Sequence, residues 1–106
     1  SEIPSLEQRS YDFPELPMAL PVGKTVWQGI IDRLYYADGQ WILEDYKTDQ
    51  EVKPDHYYFQ LAVYLYAIRE VRGVTPKVQL VFLRFKEVVV IEESLLEGAY
   101  KKALTN

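Results

Sequence analysis

The chain has 106 residues, 48% of them hydrophobic and 14% aromatic, and a net charge of −4. This length and composition suit one packed domain and exclude wholesale disorder. The acidic balance argues against autonomous nucleic-acid binding through bulk charge, and the lack of cysteine excludes disulfides and thiolate metal sites. No apolar run has transmembrane length and no signal peptide is visible, so a cytoplasmic protein without membrane contact is the default expectation.

Residues 1–24 are predicted to be an extended lead-in to a core over residues 25–104, within a single domain of residues 1–106. Proline breaks helices and is confined to the edges of sheets. The segment holds most of the prolines, which are Pro4, Pro14, Pro17 and Pro21. We expect no helix here and at most one short edge strand near residues 8–13.

Residues 25–36 and 40–48 are predicted to form a β-hairpin around Asp38-Gly39. This dipeptide between apolar and aromatic runs is typical of a two-residue type I′ turn. Aromatic and opposite-charge cross-strand pairs support the resulting register. The opposed pairs are Ala37–Gln40, Tyr36–Trp41, Leu34–Leu43, Arg33–Glu44 and Asp32–Asp45.

Because side chains alternate between the faces of a strand, this register predicts that two aspartates and a lysine share one face. The residues of that face are Ile30, Asp32, Leu34, Tyr36, Trp41, Leu43, Asp45 and Lys47. Carboxylates directly opposite each other repel, so either one is protonated or a cation lies between them. Oxygen ligands suit Mg²⁺, and Lys47 would be close enough to hold a phosphate oxygen or a water molecule. The alternative is a diagonal Asp32–Lys47 ion pair with Asp45 in solvent.

The rest of the chain predicts a helix, two strands and a second helix. Asp55 is expected to cap a helix over residues 56–72 that ends at Gly73. That helix is apolar on nearly all sides, which predicts burial on more than one side and a missing neighbour. Strands are expected over residues 77–85 and 88–92, and an amphipathic helix over residues 95–104. The fold class is therefore α/β, with a mixed central β-sheet and flanking helices.

Three segments follow one another along the chain: Gly29-Ile30-Ile31-Asp32, Glu44-Asp45-Tyr46-Lys47-Thr48-Asp49 and Gln60-x-x-x-Tyr64. In this order they resemble the PD-(D/E)XK nuclease superfamily. The closest likeness is to the RecB/AddA-type nuclease domain of bacterial helicase-nucleases that process double-strand breaks, and it covers about residues 26–69. Its fold would be a restriction-endonuclease-like PD-(D/E)XK core.

The resemblance implies a metal site and a catalytic lysine. Asp32 and Asp45 would bind Mg²⁺, for which Mn²⁺ is a possible substitute, and the Tyr46 carbonyl would be a third ligand. Lys47 would orient the attacking water or stabilise the charge on the phosphate.

The resemblance also assigns a role to a helix face. Gln60 and Tyr64 are four residues apart and share that face, which would position the lysine or contact the DNA backbone. Helix spacing alone also allows them to be the amphipathic edge of a core helix.

The chain departs from the family pattern before the Asp32 strand, where these nucleases carry a further histidine or glutamate ligand on a helix. Glu2, Glu7 and Glu15 lie in the proline-broken segment, and no histidine does. His56 opens the later helix, where a lone histidine is more often a surface or capping residue than a ligand. We therefore expect a fragment that lacks its upstream helix and need not be active alone.

The predicted function is metal-dependent hydrolysis of DNA phosphodiesters, by an exonuclease or endonuclease within a helicase-nuclease that repairs double-strand breaks. Its partners would be DNA, a helicase domain in the same full-length chain and a second nuclease or helicase subunit. One alternative is a non-catalytic nuclease-like module for DNA or subunit docking. A Mg²⁺-dependent nucleotide phosphohydrolase is less favoured, since no Gly-rich phosphate loop is present.

Overall fold

The computed structural model describes residues 9–105, which form a five-stranded mixed sheet and two helices. The sheet order is β1-β2-β3-β4-β5, with β3 and β4 parallel and the other neighbours antiparallel. Residues from all five strands and both helices share one buried apolar cluster. The predicted α/β class with a mixed sheet is confirmed. The elements are β1 Tyr11–Val22, β2 Thr25–Ala37, β3 Gln40–Lys47, α1 Tyr58–Arg72, β4 Lys77–Phe82, β5 Glu87–Ile91 and α2 Glu93–Thr105.

The β2–β3 hairpin has the predicted turn and register. Asp38 and Gly39 both have positive φ, at 52° and 76°, as a type I′ turn requires. The Tyr36 and Trp41 rings meet edge to face at 5.3 Å. The ladder runs from Ala37–Gln40 to Arg33–Glu44 and stops there. The prediction that Asp32 and Asp45 form the next ladder pair is therefore wrong.

The side chains of β2 stop alternating regularly between the two faces of the sheet close to Asp32. Ile31 and Leu34 are both fully buried in the main core, whereas Ile30 is 57% exposed. The β1–β2 ladder is interrupted at this level, where Glu15 has a φ of +50° and does not pair with Asp32. Such an interruption bends a strand and breaks the simple alternation of side chains. The prediction that Ile30 shares a face with Leu34 is wrong for this reason.

Strand β1 is longer than predicted. It pairs with β2 over nearly its whole length and includes Pro14, Pro17 and Pro21. β1 is an edge strand, and proline is tolerated where no further strand needs its N–H. No helix occurs in residues 9–24, as expected. Gln8, part of the predicted short strand, lies outside the described residues.

Helix α1 begins later than predicted and ends where predicted. A 3₁₀ turn over Pro54–Tyr57 precedes it, because the fixed φ of Pro54 suits the first position of a helical turn. Asp55 lies inside this turn and is not an N-cap; Tyr57 is in the N-cap position, without a side-chain cap. Gly73 ends α1 with a φ of 67°. Neither α1 nor α2 is long and apolar enough to cross a membrane.

Helix α2 covers part of the apolar surface of α1, for which the sequence predicted a missing neighbour. The Tyr100 ring stacks on Phe59 at 6.0 Å and meets Tyr66 edge to face at 4.7 Å. Arg69 and Glu93 form an ion pair at 2.7 Å between the helices. α2 begins two residues before its predicted start. The turn between β4 and β5 occupies residues 83–86, whereas strands predicted over residues 77–85 and 88–92 left only residues 86–87 between them.

The other face of the hairpin carries a buried carboxylate with a full set of donors. Glu44 is fully buried and accepts hydrogen bonds from Tyr35 Oη at 2.5 Å, Tyr46 Oη at 2.8 Å and Gln79 Nε2 at 2.6 Å. Arg33 is its cross-strand neighbour, as predicted, but forms its ion pair with Asp12 instead. Burial and the Glu44 contact raise the pKa of Tyr46 to about 12. This network fixes β2, β3 and β4 relative to one another.

Candidate functional site

Asp45 and Lys47 lie together at the end of β3, on the face that α1 covers. The Asp45 side chain is 5% exposed, and its Oδ2 lies 2.8 Å from Lys47 Nζ. The alternative in which Asp45 points into solvent while Asp32 pairs with Lys47 is wrong. Within residues 9–105, Asp45 Oδ2 accepts no well-directed hydrogen bond, so the contact with Lys47 is an ion pair of poor directionality.

Asp32 occupies the gap that opens where the β2–β3 ladder ends. Its Oδ2 accepts a hydrogen bond from the Tyr46 backbone N–H at 2.7 Å. The carboxylate thus replaces the backbone partner that a continued ladder would have supplied. It also contacts the Asp45 carboxyl group. The structure therefore brings the two predicted aspartates together, although the side chain and not the backbone of Asp32 joins the strands.

The surroundings of Asp45 disfavour its ionised form in the metal-free protein. Burial raises the pKa of Asp45 to about 6; contact with Lys47 opposes this shift and contact with Asp32 reinforces it. Desolvation disfavours the ionised form, and a second carboxylate disfavours it further. A cation beside Asp32 and Asp45 would relieve both effects.

Gln60 and Tyr64 of α1 border the charged cluster, as the four-residue spacing predicts. Lys47 Nζ donates a hydrogen bond to Gln60 Oε1 at 3.4 Å. The Tyr64 ring packs on the backbone of Gly29, where an added Cβ would lie 3.1 Å from Tyr64 Cε1. Burial raises the pKa of Tyr64, and the negative charges of Asp45 and Asp32 add to the effect. Gly29 thus lets α1 approach the site closely.

Tyr57 and Asp49 also belong to the cluster, although the sequence analysis did not identify them. Lys47 Nζ lies 4.1 Å from the centroid of the Tyr57 ring, a cation–π contact. The Tyr57 hydroxyl donates a hydrogen bond to Asp49 Oδ2. The available signal was spacing: Tyr57 precedes Gln60 by three residues and would share its face on the helix predicted over residues 56–72.

The donor set fits a hard divalent cation that keeps part of its water shell. Within residues 9–105, no group of three or more histidine, cysteine, aspartate or glutamate side chains is close enough to hold a metal ion. Two adjacent carboxylates, one with a buried and poorly satisfied oxygen, remain. Mg²⁺ is commonly held by one or two carboxylates, with waters and substrate phosphates completing the octahedron.

The candidates for a further ligand do not join this pair. Glu15 lies in β1 at the level of Asp32, with which it does not pair, and it is exposed and not part of a helix. His56 is exposed in the 3₁₀ turn before α1. Glu2 and Glu7 lie outside the described residues. Asp32 and Asp45 are thus the carboxylates that the described part of the chain brings together around Lys47.

The chain resembles known proteins in its sequence family and in its fold. A family model described as the PD-(D/E)XK nuclease superfamily matches residues 3–104. A crystal structure described as "Putative exonuclease" from Eubacterium rectale matches with a TM-score of 0.68 and 17% sequence identity. The match covers 95% of this chain and 44% of that chain, so the present chain spans less than half of its length. The likeness is one of fold. No curated protein matches the chain.

Proposed function

Because this chain belongs to the PD-(D/E)XK nuclease superfamily, we propose that it hydrolyses DNA phosphodiesters with a divalent metal ion at Asp32, Asp45 and Lys47. The observation that carries the proposal is the Asp45 carboxylate, which is buried, has a raised pKa and keeps a poorly satisfied oxygen. Buried polar groups in structural roles normally have their hydrogen bonds made. A perturbed carboxyl beside a second carboxylate and an ammonium is typical of a functional site.

Asp32, Asp45 and the Tyr46 carbonyl would hold the metal ion, for which Mg²⁺ is the expected cofactor and Mn²⁺ a substitute. The N–H and C=O of one strand residue point toward the same neighbouring strand. The Tyr46 N–H is directed at Asp32, which supports a carbonyl facing the same gap. When bound, the metal polarises a phosphoryl oxygen and lowers the pKa of a coordinated water.

Lys47 would bind a phosphate oxygen or orient the attacking water. The ammonium is held by Gln60 Oε1 at 3.4 Å and by the Tyr57 ring at 4.1 Å, in addition to Asp45. Lys47 is therefore not held by the Asp45 carboxylate alone. A preorganised positive charge of this kind stabilises charge that develops on a phosphoryl group.

The wider role that we propose is that of a RecB/AddA-type domain in a helicase-nuclease that repairs double-strand breaks. The three sequence motifs support this role. So does the match in fold to a larger protein, of which the present chain covers 44%. DNA, a helicase domain of the full-length protein and a second subunit are the proposed partners. A non-catalytic docking module is the second candidate. It is favoured by the finding that, within residues 9–105, no third acidic, histidine or cysteine side chain is close enough to complete a metal-binding group.

Cleavage of DNA by a lysine variant tests the proposal. Lys47→Ala should abolish Mg²⁺-dependent cleavage of single- and double-stranded DNA while leaving divalent-metal binding in place. Lys24→Ala removes an exposed lysine from the β1–β2 turn, which has no contact with the charged cluster among those described above, and should cut at the parental rate. Parental cleavage by Lys47→Ala would refute the assignment, and a wild-type chain that binds DNA and metal without cutting would establish the non-catalytic module.

A further inference from the structure

A cleft of about 240 Å³ lies beside the charged cluster, between β2 and the start of α1. Its lining comprises Trp27, Gln28, Phe59, Gln60, Val63 and Tyr64. Gln60 belongs to both places, because its Oε1 accepts the hydrogen bond from Lys47 Nζ. The cleft therefore begins one side chain away from the proposed catalytic lysine.

The lining of the cleft suits a flat heteroaromatic group. It offers three aromatic rings, an aliphatic side chain and two amides, Gln28 and Gln60, and no charged side chain. Amides can donate to and accept from the edge of a base, while aromatic rings stack on its face. A phosphate would instead require cations or a cluster of backbone N–H groups.

Trp27 is the exposed aromatic surface of this cleft. It remains 42% exposed, although its ring meets Phe59 edge to face at 5.0 Å and 71°. Phe59 is in turn stacked on Tyr100, so its position does not depend on Trp27. The Trp27 ring thus contributes less to the core than its size allows and is available for stacking.

We propose that this cleft is a nucleobase subsite, in which Trp27 stacks on a base of the strand whose phosphate lies at Asp32, Asp45 and Lys47. The inference rests on the proposed function, since it needs a nucleic-acid strand at that site. A volume of about 240 Å³ is below the roughly 300 Å³ at which drug-sized ligand sites begin, and suits one planar base. A base in a duplex must be unstacked and unpaired before it can enter. The substrate is therefore a single strand or a frayed end.

The sequence allows a direct spectroscopic test. It contains two tryptophans, and Trp41 packs between aromatic neighbours away from the cleft. In a Trp41→Phe protein the fluorescence reports on Trp27 alone. With Ca²⁺ replacing Mg²⁺, a short oligothymidylate should quench this emission, whereas an abasic strand of the same length should not. Equal quenching by both strands, or none by either, would overturn the subsite.

A matched pair of variants in the natural background supplies the second measurement. Trp27→Ala should weaken oligothymidylate binding and raise KM roughly tenfold while kcat stays near its parental value, as expected for loss of one stacking contact. Val26→Ala, at its exposed neighbour in β2, should leave both unchanged. A Trp27→Ala protein with parental KM would overturn the subsite but not the proposed nuclease, which is tested by Lys47→Ala. Should Trp27→Ala fail to fold, the abasic comparison still decides.

Discussion

Two neighbouring acidic residues of β3 show how burial separates structural from functional carboxylates. Glu44 and Asp45 point to opposite faces and are both buried. Glu44 has three hydrogen-bond donors, whereas one oxygen of Asp45 has an ion-pair partner without a well-directed hydrogen bond. The free-energy cost of burying Glu44 is thus offset within the fold. The free-energy cost of burying Asp45 is offset only in part, by the ion pair with Lys47. The Asp45 carboxylate therefore remains available for a ligand.

Asp32→Asn should stabilise the metal-free protein at neutral pH. The folded-state pKa of Asp45, about 6, exceeds its ordinary value of 3.8, so the metal-free fold loses stability as pH rises from about 4 to about 6. Asparagine keeps an acceptor for Tyr46 N–H and removes one cause of the shift. We expect a gain on the order of 1 kcal/mol at pH 7 and a flatter pH dependence in thermal melts with EDTA.

A second asparagine variant controls for the Asp32→Asn measurement. Asp38→Asn changes an exposed aspartate of the same hairpin, at a turn position where asparagine is equally favoured. It should leave the pH dependence of the unfolding free energy unchanged. A loss of stability in Asp32→Asn, or a pH curve identical to that of the wild type, would show that the two carboxylates do not interact.

At the scale of elements, the close approach of α1 to β2 depends on Gly29. Gly29→Ala places a Cβ 3.1–3.2 Å from the Tyr64 ring and hydroxyl, which must move. Because Tyr64 and Gln60 lie on one face of α1, the shift reaches the contacts of Lys47. We expect DNA cleavage to slow by about ten- to a hundredfold and the unfolding free energy to fall by about 1–3 kcal/mol.

Gly98→Ala is the matched control for this prediction. Gly98 lies in α2 with nothing within 4 Å of an added Cβ. Alanine there should raise helix stability by up to about 1 kcal/mol and leave cleavage unchanged. Parental cleavage by Gly29→Ala would show that the approach of Tyr64 has no part in positioning Lys47.

The hairpin and both helices were predictable because each has a local signal. The Asp38-Gly39 turn set the register, and Gly73 marked the end of α1. The length of β1 was not predictable, since proline at a sheet edge depends on which strand becomes the edge. Nor was the interruption at Glu15 and Asp32, because residues far apart in sequence create it.

The candidate site was predictable in its residue types but not in its contacts. The motifs brought together Asp32, Asp45 and Lys47, yet the role of the Asp32 side chain as acceptor for Tyr46 N–H follows from the end of the ladder. Tyr57 was missed although it precedes Gln60 by three residues, and it lies in the 3₁₀ turn before α1 rather than in the predicted helix. The sequence placed Glu44 opposite Arg33 but gave no sign of its three hydrogen-bond donors.

For the whole molecule, the net charge of −4 and the arrangement of the site both indicate that DNA binding requires a bound cation. An acidic chain does not attract DNA through bulk charge, so binding must come from a local site. Two carboxylates repel phosphate until a cation is bound beside them. DNA binding and divalent-metal binding should therefore depend on each other.

The central claim is that Asp32 and Asp45 form a divalent-metal site. Calorimetric titration of Mn²⁺ into the chain tests this claim most directly. The wild type and Asp38→Asn should bind Mn²⁺ with the same affinity, and Asp45→Ala should show no binding. Lys47→Ala should retain binding, because it removes no ligand. Equal affinity in Asp45→Ala and the wild type, or no binding by the wild type, would contradict the account.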